Sequence, residues 1–261
     1  MDVPVLGQSA QDASLLEMLG TAVREDLCGL ATLHDREIDA ATLAELKCRD
    51  FPVNFGLRLR SEEGRRAAEL MYQAVARLPE ILNAGVVDEL AVDFADIYLT
   101  HTLRAAPTES PWLDPDHLER QEPMFAVRAY YRRHGLKVLD WSKRPDDHLV
   151  TQLLFLAHLF MSLDLAAFHE AARFLDEHLR RWIGRFALRV AQRCGTPFYA
   201  GLALLTAAYV EELRDLLSSL LGEPAPSRAV LEALSDWPGL DPGRAGERIA
   251  VSQRKRNRVG Q

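Results

Sequence analysis

The chain has 261 residues, of which 48% are hydrophobic and 26% charged, a balance that suits a folded globular protein and excludes disorder over most of its length. A formal net charge of -7 argues against general nucleic-acid binding and leaves room for a basic partner. Cys28, Cys48 and Cys194 stand far apart with no CxxC spacing, so neither a disulfide framework nor a thiolate metal site is expected, and a reducing cytoplasm suits them.

The opening stretch "MDVPVLGQSAQDAS" has no basic region followed by an apolar one, so no export signal is expected. Leu15, Leu16, Leu19, Ala22 and Val23 recur at helical spacing. The stretch "NFGLRLR" at 54–60 alternates like a strand but is short and isolated. In "SEEGRRAAELMYQAVARLPEIL" the residues Ala67, Leu70, Met71, Ala74, Val75, Leu78, Ile81 and Leu82 form one apolar face, with Ser61 as cap and Glu62 and Glu63 at the positive end.

Between Arg104 and Pro123 four prolines interrupt the helical pattern, and only a short helix beginning near Asp114 is expected there. A helix follows in "MFAVRAYYRRHG", closed by Gly135. The apolar runs Leu149 to Met161 and Phe198 to Val210 fall short of the ~20 residues that span a bilayer, so they read as core helices. Leu165, Phe168, Ala172, Leu175 and Leu179 continue the helical period.

The arginine pairs at 65/66, 132/133 and 180/181 read as solvated helix faces, and Trp112 and Trp141 flank the two connectors. The expected fold is an all-α helical bundle of about ten helices. A boundary at 136–146 gives an amino-terminal lobe over 1–140, which includes the connector 104–123, and a carboxyl-terminal lobe over 141–241. Residues 242–261 form a basic tail, with Arg244, Arg248, Arg254, Lys255, Arg256 and Arg258 against Glu247, and read as flexible.

Catalytic signatures are scarce. No GxSxG, GxxxxGK[ST] or GxGxxG occurs, and "FHEAAR" fails as a zinc motif because Arg173 holds the second histidine position. Asp147 and His148 are a candidate acid/base couple, which supports a hydrolase as the alternative function. The plainer reading makes Asp146 or Asp147 a helix cap, as Asp114 in "DPDHL" reads too. A nucleic-acid binder using "RKRNR" ranks last against an acidic body.

One arrangement is more specific: "EPMFAVRAYYRRHGL", a short linker, then "PDDHLVTQLLFLAHL". Glu-Pro, a tyrosine, a glycine and then Pro-Asp-Asp-His before an apolar helix resembles the TorD/DmsD family of redox-enzyme maturation chaperones. Upstream, "DFADIYLTHTLRAAPTESPWLD" is similar to that family's aromatic helix and proline-containing loop, although "PTESP" lacks the tryptophan some members carry there. The similarity covers about residues 91–165.

The resemblance implies a cytoplasmic chaperone without enzymatic turnover, acting in anaerobic respiration, with two helical lobes joined by a hinge. It would bind the twin-arginine signal peptide of a molybdenum-cofactor oxidoreductase, assist cofactor insertion and delay export until the enzyme is mature. The implied partners are the molybdoenzyme precursor and the cofactor-insertion machinery, with no nucleic acid and no membrane span. Monomers and lobe-swapped dimers both occur in the family. The chaperone itself would hold no cofactor, the molybdopterin belonging to the client; guanine-nucleotide binding is left undecided, since no phosphate loop is present. By resemblance Asp147 and His148 match the family's hinge pair, Pro145 its proline, and Glu122 with Pro123 the upstream signature. Tyr130 or Tyr131 matches the motif tyrosine, and Tyr98, Leu99, Ser110, Trp112 and Leu113 match the aromatic helix and loop.

Overall fold

The computed structural model describes residues 10–79 and 83–235. The amino-terminal stretch, Ile81, Leu82 and the basic tail lie outside the described residues. The chain divides into two units, Met1–Ala225 and Pro226–Gln261. In the first, α1 (Ala10–Asp35), α2 (Ala40–Cys48), α3 (Glu62–Ala76) and α4 (Ala84–Phe94) come before the connector, with α4 running into a π-helical turn at Ala95–Leu99. After it come α5 (Ser110–Leu113), α6 (Glu122–Arg133), α7 (Leu149–Leu159), α8 (Leu165–Phe174), a second π turn (Leu175–Leu179), α9 (Arg180–Arg193) and α10 (Pro197–Leu221). The described part of the second unit ends in α11 (Arg228–Ser235). The protein is all-α: among the described residues there is no strand, only an isolated antiparallel bridge between Thr108 and His148.

Local chemistry accounts for most of these elements. The Gly64 amide donates to Ser61 Oγ at 3.0 Å, so α3 starts where its cap was expected, and Ala67, Met71, Ala74 and Val75 are buried while Leu70 is exposed. That face lies along α10. Gly201 permits the approach, because a Cβ there would sit 3.1 Å from the Met71 Cα. Gly135 takes φ +67° and Gly222 φ +68°, the left-handed conformation that ends α6 and α10.

Helix α1 packs on α7, which is buried nearly all round, and α9 packs on α10 with Trp182, Phe186, Tyr199 and Tyr209 fully buried. Two stretches bear on the sequence reading, and the second changes it. "NFGLRLR" forms no strand: its backbone is pinned instead to buried Asp26, which accepts from the Gly56 amide at 3.0 Å and the Leu57 amide at 2.9 Å. An alternating stretch with no neighbouring strand has no ladder to join, and a buried carboxylate supplies the missing acceptors. The short helix of the connector starts at Ser110, and Asp114 stands at its carboxyl end rather than its start.

The arginines at 65/66 and 132/133 are exposed as expected, but Arg180 is not. Its guanidinium is 6% exposed and pairs with Asp176 at 2.5 Å and Glu211 at 2.8 Å. The i,i+4 spacing from Asp176 and the approach of α10 enclose it.

A buried histidine ties three helices together. His34 of α1 lies 2.5 Å from the Tyr98 hydroxyl and 2.8 Å from Thr206 Oγ1 of α10. The Thr206 hydroxyl donates to the Leu202 carbonyl, so it accepts from His34 Nε2–H, and His34 Nδ1 accepts from Tyr98. The ring is therefore neutral, and burial holds its pKa down at about 3.

Candidate functional site

The connector and the turn before α7 are laced together. The Leu149 amide donates to the Pro107 carbonyl at 2.8 Å and the Glu109 amide to the Asp147 carbonyl at 3.1 Å. Asp147 is fully buried, and its Oδ2 accepts from the Ser110 amide at 2.8 Å and the Ser110 hydroxyl at 2.6 Å. Its Oδ1 is buried without a hydrogen-bond partner. Burial pushes this carboxyl up to about 6 and nearby Glu109 adds to the rise, against the lowering effect of the Ser110 bonds. The Gln121 amide reaches Ser110 Oγ at 3.2 Å, which brings the start of α6, where Glu122 and Pro123 stand, to the same junction.

Glu109 carries the lacing into the second π turn. Gln152 Nε2 donates to Glu109 Oε2 at 2.8 Å and to the Asp147 carbonyl at 3.1 Å, while His178 Nδ1 lies 2.9 Å from Glu109 Oε1. Three stretches far apart in sequence thus meet in one buried polar network.

His148 caps α7 with its imidazole: the Val150 amide donates to Nδ1 at 3.2 Å. This corrects the expectation that Asp146 or Asp147 is the cap. Both carboxylates are engaged elsewhere, Asp147 by Ser110 and Asp146 by Arg128 at 2.8 Å. The acid/base couple is therefore not formed. Burial, with the charge of Arg144 adding to it, holds His148 down at about 3, so it is neutral and a weak base. No group of metal-ligating side chains occurs among the described residues. The hydrolase alternative finds no support.

The two histidines set a pH response. Their folded pKa values lie below the unfolded 6.5, so their contribution to stability is present above that value and is lost as pH falls from 6.5 towards 3. Asp147 acts oppositely between 3.8 and 6, one group against two. The denaturation midpoint is expected to drop as pH falls below 6.5, and His34→Gln to remove one of the two histidine contributions, so that His148 and Asp147 nearly cancel between 3.8 and 6. Urea titrations across pH measure it.

The remaining candidates fall into two groups. Tyr131 is the tyrosine that reaches the turn, donating to the Asp146 carbonyl at 2.9 Å, whereas Tyr130 donates to Glu177 at 2.6 Å with Arg133 stacked 4.0 Å from its ring. Pro145 is buried in the same turn, and Trp112 and Leu113 are buried on α5, the indole N–H donating to the Ala106 carbonyl at 2.8 Å. Tyr98 lies beyond the turn, its hydroxyl bonded to His34 of α1. Leu99 points outward, 63% exposed.

Two half-exposed ion pairs belong to the same neighbourhood: Arg144 with Asp35 at 2.5 Å and His101 with Glu119 at 3.3 Å. Both Arg144 and His101 act on His148. Glu109, Gln152, His178, Arg128 and His34 were absent from the sequence reading. Gln152 alone carried a signal, since an amide inside an apolar run needs a buried partner.

Residues 65–188, which include this junction, match the family model described as nitrate reductase delta subunit. The chain is 30% identical over 167 residues to chaperone protein TorD of Vibrio cholerae, covering 60% of this chain and 74% of that protein. It is 34% identical over 154 residues to chaperone protein TorD of Vibrio vulnificus strain YJ016, covering 56% and 71%. Against chaperone protein TorD of Shewanella pealeana it is 28% identical over 201 residues, covering 74% and 88%. The chain belongs to the TorD/DmsD family, whose members are chaperones and not enzymes. No helix among the described residues is long and apolar enough to cross a membrane.

Proposed function

We propose that the chain is a cytoplasmic chaperone that binds the twin-arginine signal peptide of a molybdoenzyme precursor, assists cofactor insertion and delays export until the enzyme is mature. Family membership supports the general role. The observation that carries the finer reading is the half-exposed carboxylates Asp35 and Glu119, whose partners Arg144 and His101 act on His148, with exposed Leu99 two residues before His101. A cationic peptide with an apolar stretch needs acidic groups beside apolar surface. The incoming guanidinium groups take Asp35 and Glu119 from Arg144 and His101, and Leu99 meets the apolar stretch. Asp147 and His148 position this surface by fixing the connector and the start of α7. The linker at 136–146 serves as the hinge between lobes 1–140 and 141–241.

The test is affinity capture of the tagged chain from its host grown under anaerobic respiration, with mass spectrometry of what co-elutes. Recovery of an unprocessed molybdoenzyme precursor is the expected result, and a miss while that enzyme is being made overturns the reading. Titration with the precursor's signal peptide should give an affinity near micromolar, or about -8 kcal/mol. Glu119 raises the pKa of His101 above its usual 6.5, so affinity should rise as pH climbs through that titration and frees the carboxylate. His101→Gln should flatten the profile; an unchanged profile removes Glu119 from the site.

A further inference from the structure

Helix α9 holds Arg180, Arg181, Arg185, Arg189 and Arg193 and no acidic residue, in a chain of net charge -7. Asp176 and Glu211 answer Arg180 at one end. At the other end, among the described residues, Arg189 and Arg193 bond to neutral groups. Arg189 donates through Nη1 to the Arg104 carbonyl at 3.0 Å and lies 4.8 Å from the Trp112 ring centroid. Arg193 donates through Nη1 to the Leu103 carbonyl at 2.8 Å. Each guanidinium thus spends one N–H and keeps the others of its fork for a further acceptor. Arg104, whose carbonyl Arg189 holds, is itself exposed on the connector. None of Arg104, Arg189 and Arg193 forms an ion pair among the described residues. Asp93, bonded to the Gly195 and Thr196 amides just beyond the helix, is buried and directed to those groups.

Successive arginines four residues apart on a helix repeat every ~6 Å. Alternate side chains of an extended chain repeat every ~6.5 Å. We infer that the face formed by Arg189 and Arg193 of α9 with Arg104 of the connector docks an extended acidic segment of a protein partner, with carboxylates at alternate positions. This surface is distinct from the one assigned to the signal peptide, because a twin-arginine segment would be repelled here. A nucleic-acid strand has regularly spaced phosphates too, but the acidic body of the chain opposes a polyanion of that length.

The test is fluorescence anisotropy of the full chain with a labelled peptide of alternating glutamate and serine. Wild type should bind, more weakly as salt rises, and a peptide of the same composition with its glutamates in one block should bind less well. Arg104→Glu is the variant least able to disturb the fold, since its exposed side chain makes no hydrogen bond or ion pair among the described residues; alone it should weaken binding several-fold, and with Arg193→Glu about tenfold or more. Circular dichroism confirms that both variants are folded. Three results overturn the proposal: no binding by wild type, equal binding by both variants, or a loss only when Arg254, Lys255, Arg256 and Arg258 are changed to glutamine. A single-stranded oligonucleotide that displaces the peptide at lower concentration than the unlabelled peptide does would overturn the acidic-segment assignment. Signal-peptide affinity should be unaffected by Arg104→Glu, which keeps this test separate from the one above.

Discussion

Near pH 4, where the buried carboxyl is neutral, replacing Asp147 by alanine is expected to lower the free energy of unfolding by about 3 kcal/mol, because the Ser110 amide and hydroxyl lose their common acceptor inside the protein. Asparagine should behave very differently. Its carbonyl oxygen keeps both Ser110 bonds, and the amide removes a charge that the site disfavours. The raised pKa fixes the sign. A folded value of about 6 against 3.8 unfolded means the folded state holds this proton more tightly, so the contribution is full below 3.8 and is lost as pH rises to about 6. Above that, an ionised Asp147 opposes folding by about 3 kcal/mol, since each pKa unit is about 1.4 kcal/mol. Asparagine avoids this term but buries an amide N–H where Oδ1 has no partner, which returns part of the gain. The net expectation is stability at neutral pH close to or above wild type, and a steeper gain of stability between 3.8 and 6 than wild type shows, because the opposing Asp147 contribution is gone. Urea unfolding of the three proteins across pH decides it; equal losses for alanine and asparagine would show that the charge, not the acceptor, holds the connector.

The second large effect belongs to His148. His148→Ala is expected to destabilise by about 2 kcal/mol, of which the lost cap of α7 supplies about 1 and the emptied imidazole volume the rest. His148→Asn supplies a side-chain oxygen that favours the same cap position and should recover about 1 kcal/mol. Signal-peptide titration then separates the roles. Binding that follows stability, lost in His148→Ala and regained in His148→Asn, assigns the imidazole to positioning; binding lost in both assigns it to contact with the peptide.

The helices were legible because their signals are local. Ser61, the acidic first turn behind it and the spacing of Met71, Ala74 and Val75 state α3 within one short window. Gly135 announces its own left-handed turn. The connector failed for the opposite reason. "DPDHL" has every local mark of a helix start, yet Ser110 begins the helix because Asp147, far along the chain, accepts from its amide. The cap of α7 was misassigned likewise: two aspartates precede it, and only the positions of Ser110 and Arg128 reveal that both are occupied. For the candidate site, the resemblance named Asp147, Ser110 and either Tyr130 or Tyr131, and it is Tyr131 that the fold brings to the turn holding Asp147 and Ser110. It was silent on Glu109 and His178, whose pairing depends on the path of α8 through its π turn.

The packing of α1 on α7 bears on how the chain is made. Residues 36–148 separate the two helices, so α1 leaves the ribosome long before its partner exists. At about 5–20 residues per second, that interval is on the order of ten seconds. Throughout it the apolar flank that includes Val23, Leu27 and Leu30, buried in the finished protein, lacks its α7 cover. Nascent α1 therefore waits without this partner for much of the chain's synthesis. Translation pauses placed between the two helices should lengthen this exposure and lower the yield of folded protein, while pauses after residue 159 should have little effect.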